Sequence, residues 1–438
     1  MQINDLEQIM GLHPEVDVLS QEISKKGNKH FLLSGLYASA RGMILAALHS
    51  RLKQKGEAPV MLIVMDNADD AQYMYADIKT LTQAQDVYYF PNSHRRRQGK
   101  DEAMAVLRTE VLSALLNTMR SLEDASLQDG SKTAYSLKAR PIIVTYPEAL
   151  AESVPQPQSL QGKTITLSVG EEIAISQLTA MLLELDFKRV DFVYEPGQFA
   201  VRGGIVDVYS YACDIPMRID FFGDEIDSIR EFELETQLSQ NKVDTISIVA
   251  SSADEQAMTD ITAYLPPKTL WISNDFGLAS YKIKSAITEF DSTILAQAME
   301  DATTIELNQK STYPSHNLLA FDTLPQPTFN KNFDLLIDDL QQRIKDGYRI
   351  YILADQVKQT DRLKAIFDDK ESGIEFVAVD HALHEGFIDH GAKICCYTDH
   401  QIFERYHRVT LRSENARRGK AIITLKEINQ LQVGDYVV

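Results

Sequence analysis

The segment from Phe31 to Gly42 most constrains the fold, because it has the order of a strand, a glycine loop and a helix. A phosphate-binding loop has the same order and adds a second Gly, a Lys and a Ser or Thr, which together hold phosphate and magnesium. Here Gly35 is followed by Ala40, Arg41 and Gly42 at those three positions. The segment predicts an α/β fold with a degenerate nucleotide site. A single glycine leaves open the alternative that it precedes an amphipathic helix by chance.

Length and composition indicate several soluble domains. The 438 residues correspond to about three domains of ordinary size. No apolar run reaches the roughly 20 residues of a membrane span, and the first residues lack a secretory signal. Cys213, Cys395 and Cys396 fit neither a zinc site nor a disulfide framework. We therefore expect a cytoplasmic protein with no metal site and no membrane contact.

The net charge of −19 favours protein partners over duplex DNA, because affinity for DNA comes mostly from neutralising its phosphates. Two local basic runs, at residues 94–97 and 405–420, are exceptions. Neither run carries stacking aromatic residues except Tyr406, so we interpret both as solvated loops. Contact between this chain and DNA is expected to be weak or absent.

Changes in the hydrophobic pattern predict five segments. Residues 1–146 alternate apolar runs with amphipathic stretches, as in a parallel α/β layer. Residues 147–236 indicate a small α+β domain, and residues 237–322 return to the α/β pattern. Residues 323–424 predict a separate small α/β domain of unknown role. Residues 425–438 begin a further domain and stop inside a strand, which predicts a truncated chain.

Apolar periodicity also places individual elements in these segments. The predicted strands are residues 31–34, 60–65, 87–90, 142–145, 349–353, 374–379 and 394–397. The predicted helices outside the first segment are residues 173–185, 335–345 and 360–367.

The small domain contains two hairpin signals. Gly203-Gly204 separates two alternating runs, and Gly223-Asp224 separates two more. In the first hairpin, alternation places Arg202 and Asp207 on one face. The opposite face is wholly apolar and carries Phe199, Val201, Val206 and Val208.

Residues 194–209 and 217–230 carry the most specific motifs. They read Tyr-Glu-Pro-Gly-Gln-Phe-Ala-Val-Arg-Gly-Gly-Ile-Val-Asp-Val-Tyr and Met-Arg-Ile-Asp-Phe-Phe-Gly-Asp-Glu-Ile-Asp-Ser-Ile-Arg. Both motifs resemble the UvrA-binding domain of the excision-repair protein UvrB. The same module opens the transcription-repair coupling factor family, Mfd, and the chain is similar to that N-terminal region over essentially its whole length. The resemblance implies a UvrB-like degenerate P-loop (helicase-like) domain interrupted by the small UvrA-binding-like domain.

Three departures from UvrB favour the coupling-factor family. The first is the altered phosphate loop. The second is Asn274-Asp275, which stands where UvrB carries the Walker B pair Asp-Glu, and an amide cannot supply the charge that anchors magnesium. The third is that only about ten residues precede the helix predicted from Asp101, where UvrB carries a long aromatic hairpin. The resemblance therefore implies no cofactor here, with ATP and magnesium bound only by a motor beyond residue 438.

The resemblance also implies UvrA-contacting residues at Phe199 and Arg202, with Arg189 nearby, and we add Phe222 as a fourth candidate. For Arg202 the alternative is a cross-strand pair with Asp207, and for Phe199 it is a place in the core. For Arg189, a contact with UvrA and a purely structural role both stay open. Phe221 and Phe222 point to opposite faces of one strand, so one is expected in the core and the other at the surface. We assign no catalytic residue.

By resemblance, the chain is a non-catalytic segment that recruits UvrA to lesions where RNA polymerase has stalled. The parent protein is expected to be an ATP-dependent DNA translocase that releases the polymerase and contacts it through the region begun by residues 433–438. Intramolecular contact with the parent's C-terminal domains is expected to mask the UvrA-binding surface. The rival hypotheses are a divergent UvrB-like DNA-dependent ATPase and an autoinhibitory structural module of the motor.

Overall fold

The apolar runs of the sequence assemble into three packed units in the computed structural model. The structure describes residues 2, 3, 5, 13–23, 25, 29–56, 58–82, 86–93, 95–96, 99–100, 102–127, 140–213, 215–250, 258–286 and 292–406. A parallel sheet forms the first unit, a largely antiparallel sheet the second and a mixed sheet the third. The predicted multidomain α/β class is confirmed.

The elements follow one another in alternating groups along the chain. The strands are β1 (His30–Ser34), β2 (Met61–Val64), β3 (Val87–Tyr89), β4 (Arg95–Arg96), β5 (Gly99–Lys100), β6 (Ile142–Thr145), β7 (Val154–Pro155), β8 (Thr164–Ser168), β9 (Lys188–Arg189), β10 (Gln198–Arg202), β11 (Ile205–Tyr209), β12 (Met217–Phe222), β13 (Glu225–Phe232), β14 (Ser239–Val243), β15 (Thr245–Val249), β16 (Met258–Thr259), β17 (Leu270–Ser273), β18 (Thr303–Glu306), β19 (Asn317–Ala320), β20 (Thr323–Pro325), β21 (Arg349–Leu353), β22 (Val377–Val379), β23 (Phe387–Asp389) and β24 (Ile394–Thr398). The helices are α1 (Pro14–Ile23), α2 (Ala40–Gln54), α3 (Ala68–Thr82), α4 (Glu102–Leu127), α5 (Pro147–Leu150), α6 (Pro157–Gly162), α7 (Ile175–Glu184), α8 (Phe276–Ala286), α9 (Ser292–Asp301), α10 (Phe333–Lys345), α11 (Val357–Asp369) and α12 (Asp399–Ile402), with a 3-10 turn at Ile261–Tyr264. Within the described ranges, none of these helices combines the length and the apolar composition of a membrane span.

The first unit is built around strands that are buried on both faces. Strands β2, β6 and β17 are buried at every position, which is typical of a parallel sheet with helices on both sides. Seven strands pair in parallel in the order β19-β1-β18-β17-β2-β6-β3. The four strands predicted before residue 146 are confirmed as members of this sheet, with small differences at their ends.

The second unit is the small domain, and it has its own core. Strands β9 to β14 form one sheet in the order β14-β13-β12-β11-β10-β9, and β8 pairs with β15. A single apolar core joins this sheet, helix α7 and the β8-β15 pair. Both predicted hairpins are confirmed, with turns at Gly203-Gly204 and Gly223-Asp224.

The boundaries predicted for the small domain, residues 147–236, are corrected at both ends. Strand β14 extends its sheet, and Ile246, Ile248 and Ala250 lie in its core, so the unit continues to residue 250. Leu160 instead packs in the core of the first unit, so the small domain begins near residue 164. Strand β14 was missed because its side chains are mostly polar and exposed, which removes the alternating pattern.

The third unit is a five-stranded sheet in the order β20-β23-β24-β21-β22. Its predicted helices and strands are confirmed, although strand β22 is shorter than predicted and strands β20 and β23 were not predicted. Along β21, Ile350 and Ile352 face the unit's own core, while Tyr351 and Leu353 lie in the core of the first unit. The prediction of a separate domain is therefore corrected, because alternate side chains of its strands complete the core of the first unit.

Polar contacts reinforce this shared core. The backbone N of His384 donates to Asp77 Oδ1 at 2.7 Å, and the backbone N of Glu385 donates to Ser39 Oγ at 2.9 Å. The ring of Tyr73 stacks on that of His384, with centroids 3.4 Å apart. The segment around His384 in the third unit is thus fixed to helix α3 of the first.

Changing Asp77 to Asn is expected to stabilise the chain at neutral and alkaline pH. Burial is the main cause that raises the pKa of Asp77 from 3.8 to about 7, and the nearby charge of Glu385 adds to the shift. Hydrogen bonds from Ser39 and His384 lower the pKa but do not offset burial. Because the pKa is higher in the folded state, the wild type loses stability as the pH rises between these two values. The amide keeps an acceptor for His384 but carries no charge.

Thermal unfolding of both proteins between about pH 5 and about pH 8 measures this effect. The advantage of Asp77→Asn should grow by on the order of 2 kcal/mol over that range. Parallel pH profiles for the two proteins would show that Asp77 is not a buried carboxyl of raised pKa.

Candidate functional site

The altered phosphate loop lies between strand β1 and helix α2 and is occupied by the protein's own backbone. Gly35 has a φ of +76°, and a Cβ built there would lie 2.0 Å from the carbonyl O of Phe321. The hydroxyl of Thr323 accepts a hydrogen bond from the N of Tyr37 and donates one to the O of Gly35, both at 2.9 Å. A loop amide that could face a phosphate is therefore engaged by Thr323.

The three residues that replace the nucleotide-binding set have structural roles. Ala40 is buried at the start of helix α2, and Arg41 Nε donates to the O of Leu36 at 3.2 Å. Gly42 is buried in helix α2 against helix α3, and a Cβ there would lie 3.4 Å from Asp77 Cβ, an ordinary van der Waals distance. A side chain at position 42 would point toward helix α3.

The two residues at the Walker B position, Asn274 and Asp275, follow strand β17 directly, and both side chains are hydrogen-bonded within the protein. Asn274 Nδ2 donates to Asp66 Oδ2 at 3.1 Å. Asp275 Oδ1 accepts from the N of Leu278 at 2.9 Å, which is the geometry of a carboxylate that caps helix α8. Among the described residues, no group of three or more His, Cys, Asp or Glu is placed to hold a metal ion.

Sequence reasoning missed Glu306, a fully buried carboxylate at the end of the neighbouring strand β18. It accepts hydrogen bonds from the N of Phe276, from Ser311 Oγ and from the N of Thr312, at 3.3, 2.5 and 2.8 Å. Its position at the end of a buried parallel strand was the signal that could have found it. These bonds fix the segment after β18 to the start of helix α8.

The second candidate site is the outer face of the six-stranded sheet, the face opposite helix α7. Arg202 lies on it with 36% of its side chain exposed, and its Nη2 bonds to Asp207, whose side chain is fully buried. The guanidinium lies over the ring of Phe192, 5.0 Å from its centroid. Nε and Nη1 of Arg202 make no hydrogen bond within the described part of the chain, so the pair with Asp207 leaves donors for a partner.

The other predicted contact residues do not all lie on this face. Phe199 is fully buried in the core, which corrects its inclusion among contact residues. Arg189 is exposed, but it pairs opposite Phe199 and so faces the other side of the sheet from Arg202. Phe222 is 81% exposed, whereas Phe221 packs against the core, as the alternation predicts.

Four residues cross the outer face in register, and we call them the charged row: Asp207, Arg218, Arg230 and Lys242. Arg218 Nε and Nη2 donate to the two oxygens of Asp207 at 2.7 and 3.0 Å. These bonds are the main cause that raises the pKa of Arg218. Sequence reasoning missed Arg218, Arg230 and Lys242, although extending the register outward from Asp207 across the second hairpin would have found the first two.

Comparisons with known proteins show what the chain is similar to. A protein-family model described as the UvrB interaction domain matches residues 165–253, which includes the whole outer face. The transcription-repair-coupling factor of Bacillus subtilis (strain 168) is 29% identical over 223 residues, covering 51% of this chain and 17% of that protein. The factor of Staphylococcus aureus (strain USA300) is 20% identical over 509 residues, covering 94% of this chain and 41% of that protein.

The chain thus spans less than half the length of these curated relatives. The matches confirm the resemblance to transcription-repair coupling factors that the motifs predicted, and they confirm it over nearly the whole chain.

Replacing Gly35 with Ala is expected to destabilise the chain strongly. The new Cβ would clash with the carbonyl O of Phe321 and would also sit at a positive φ. Gly56→Ala is the matched control, because Gly56 has a φ of +71° but nothing lies within 4 Å of its Cβ position. Gly56→Ala should cost about 1 kcal/mol and Gly35→Ala at least about 3 kcal/mol. Equal losses in thermal unfolding would mean that Phe321 does not close the loop.

Proposed function

We propose that this chain is a non-catalytic segment of a transcription-repair coupling factor and that it binds UvrA through the outer face of the small domain. The observation that carries the proposal is the match to the UvrB interaction domain, which falls on the same residues that form this face. The parent protein, by analogy with the relatives, couples transcription to repair. We place the chain in the cytoplasm, where it recruits UvrA to a lesion at which RNA polymerase has stalled.

The charge of the outer face supports a partner that presents carboxylates. Arg202 and the three cations of the charged row outnumber the neighbouring carboxylates of Asp207 and Asp220. The whole chain, in contrast, has a net charge of −19, so this face is a local exception. Arginine and aromatic residues are enriched at binding hot spots. The planar guanidinium group of arginine can donate two parallel hydrogen bonds to one carboxylate.

The contacts at the phosphate loop support a silent nucleotide fold. Thr323 engages the N of Tyr37, Phe321 lies against Gly35, and Asp275 caps a helix. We propose that ATP and magnesium act only in the motor of the parent, a DNA translocase that releases stalled polymerase. The region of the parent that begins with residues 433–438 would contact RNA polymerase; these residues lie outside the described part of the chain. The C-terminal domains of the parent would cover the outer face and so mask it.

Two rivals predict different behaviour. A divergent UvrB-like ATPase would hydrolyse ATP in a DNA-stimulated manner even as this isolated chain, with Arg41 and Asp275 acting at the site. An autoinhibitory module would leave UvrA unbound but would lower the ATPase rate of the parent motor. The backbone contact at Gly35 argues against the first rival.

Arg202→Ala is expected to weaken UvrA binding by about 10- to 100-fold, because a partly exposed guanidinium with free donors is lost from the face. Alanine is preferred to glutamate, which would place a second carboxylate beside the buried Asp207. Calorimetric titration of purified UvrA into each chain measures the change. Lys345→Ala, which removes an exposed cation from the third unit, is the control. Undiminished binding by Arg202→Ala would remove this face from the proposal.

Phe222→Ala is expected to weaken UvrA binding by about 10-fold while leaving the melting temperature unchanged. The side chain is 81% exposed, so it contributes little to folding, and an exposed aromatic residue is suited to a partner's surface. Tyr281→Ala, which removes an aromatic side chain that is 70% exposed on the first unit, is the matched control. A loss of affinity of the same size in both variants would contradict the assignment.

A further inference from the structure

We propose that Asp207 is a positioning residue of the outer face, which together with Arg218 orients the guanidinium group of Arg202 toward carboxylates of the partner. This inference rests on the proposed function and deepens it. Asp207 itself does not contact the partner, because its side chain is fully buried.

The geometry shows how one carboxylate serves two arginines. Oδ1 of Asp207 accepts from Arg218 Nε, and Oδ2 accepts from Arg218 Nη2 and from Arg202 Nη2. Arg218 is therefore held side-on by two parallel bonds, which fix the plane of its guanidinium. Arg202 is held at one nitrogen only, and the ring of Phe192 supports its flat face.

The two arginines differ in what remains for a partner. Arg218 is 14% exposed, and its Nη1 donates to the O of Gln237 at 3.1 Å and to Ser239 Oγ at 3.3 Å, so most of its donors are used. Arg202 is 36% exposed and keeps Nε and Nη1 for other acceptors. The geometry thus makes Arg202 the contact residue and Arg218 part of the frame that holds Asp207.

Charge explains why the arrangement favours an anionic partner. Two guanidinium groups share one carboxylate, so the group carries an excess positive charge at the surface of the sheet. A side chain that is already ordered loses less conformational entropy on binding than a freely rotating one. Asp207 therefore raises affinity by fixing Arg202 before the partner arrives.

The first test compares UvrA affinity across a double-mutant cycle of Asp207→Asn and Arg202→Ala. Asp207→Asn should weaken binding by about 10-fold, and this loss should shrink to less than about 3-fold when Arg202 is already Ala. Asp186→Asn is the matched charge control, since Asp186 is exposed in the same unit at a positive φ that Asn tolerates. Unchanged affinity in a folded Asp207→Asn chain, or an equal loss in both backgrounds, would overturn the proposal.

A conservative variant separates positioning from mere charge balance. Asp207→Glu keeps the negative charge but moves the carboxylate outward by one methylene, so it should still weaken binding about 5-fold. Full affinity in Asp207→Glu would mean that charge neutralisation alone is needed. This variant also serves if Asp207→Asn does not fold.

A second test does not depend on UvrA. Nitrogen-15 relaxation of the arginine Nε–Hε groups should show Arg202 ordered in the wild type and mobile in Asp207→Asn, with the exposed Arg189 as the mobile reference. A wild-type Arg202 as mobile as Arg189 would overturn the positioning role. If the wild type did not bind UvrA but Arg202 were ordered, the proposed function would be contradicted, whereas the positioning of Arg202 by Asp207 would still hold.

Discussion

The contact between the phosphate loop and the chain at residues 321–323 is the constraint on which the rest of the structure depends. It closes Gly35 against a carbonyl and ties Tyr37 to Thr323. The same chain segment then enters strand β20, so the third unit begins at the point where the loop is closed. Strands β21 and β24 of that unit send alternate side chains into the core of the first. The same short segment therefore closes the loop and joins the third unit to the first.

The small domain differs from the third unit, because its core is formed by its own residues. Apolar residues fill the side of its sheet toward helix α7, and the other side carries the charged row. On that outer face, a minor apolar cluster around Tyr209 and Phe232 supports the guanidinium of Arg218 at 4.8 Å from the Phe232 ring centroid. Burial of a carboxylate between arginines is costly unless its oxygens are satisfied, and here both are. The outer face thus combines a buried, satisfied carboxylate with an arginine, Arg202, that is 36% exposed.

The sequence permitted prediction of the elements whose burial is periodic and of the motifs in the two hairpins. Strand β6 and the turn at Gly203-Gly204 are examples, because apolar runs and paired glycines act locally. Strand β14 and the shared core could not be predicted, since polar edge residues carry no period and long-range packing leaves no local signal. At the sites, alternation placed Arg202 on the polar face and Phe221 and Phe222 on opposite faces, but it did not say which of the two phenylalanines is exposed. The role of Thr323 required tertiary structure.

The small domain is inserted into the first unit between strands β6 and β17, and its two chain connections run side by side. Strands β8 and β15 pair along their whole length, and the N of Ala250 donates to the O of Lys163 at the base. The chain therefore enters and leaves the small domain through two paired strands, and the domain is attached to the first unit at one place. A module held in this way can change its surface residues, or be exchanged for a relative's module, without altering the register of any strand in the host.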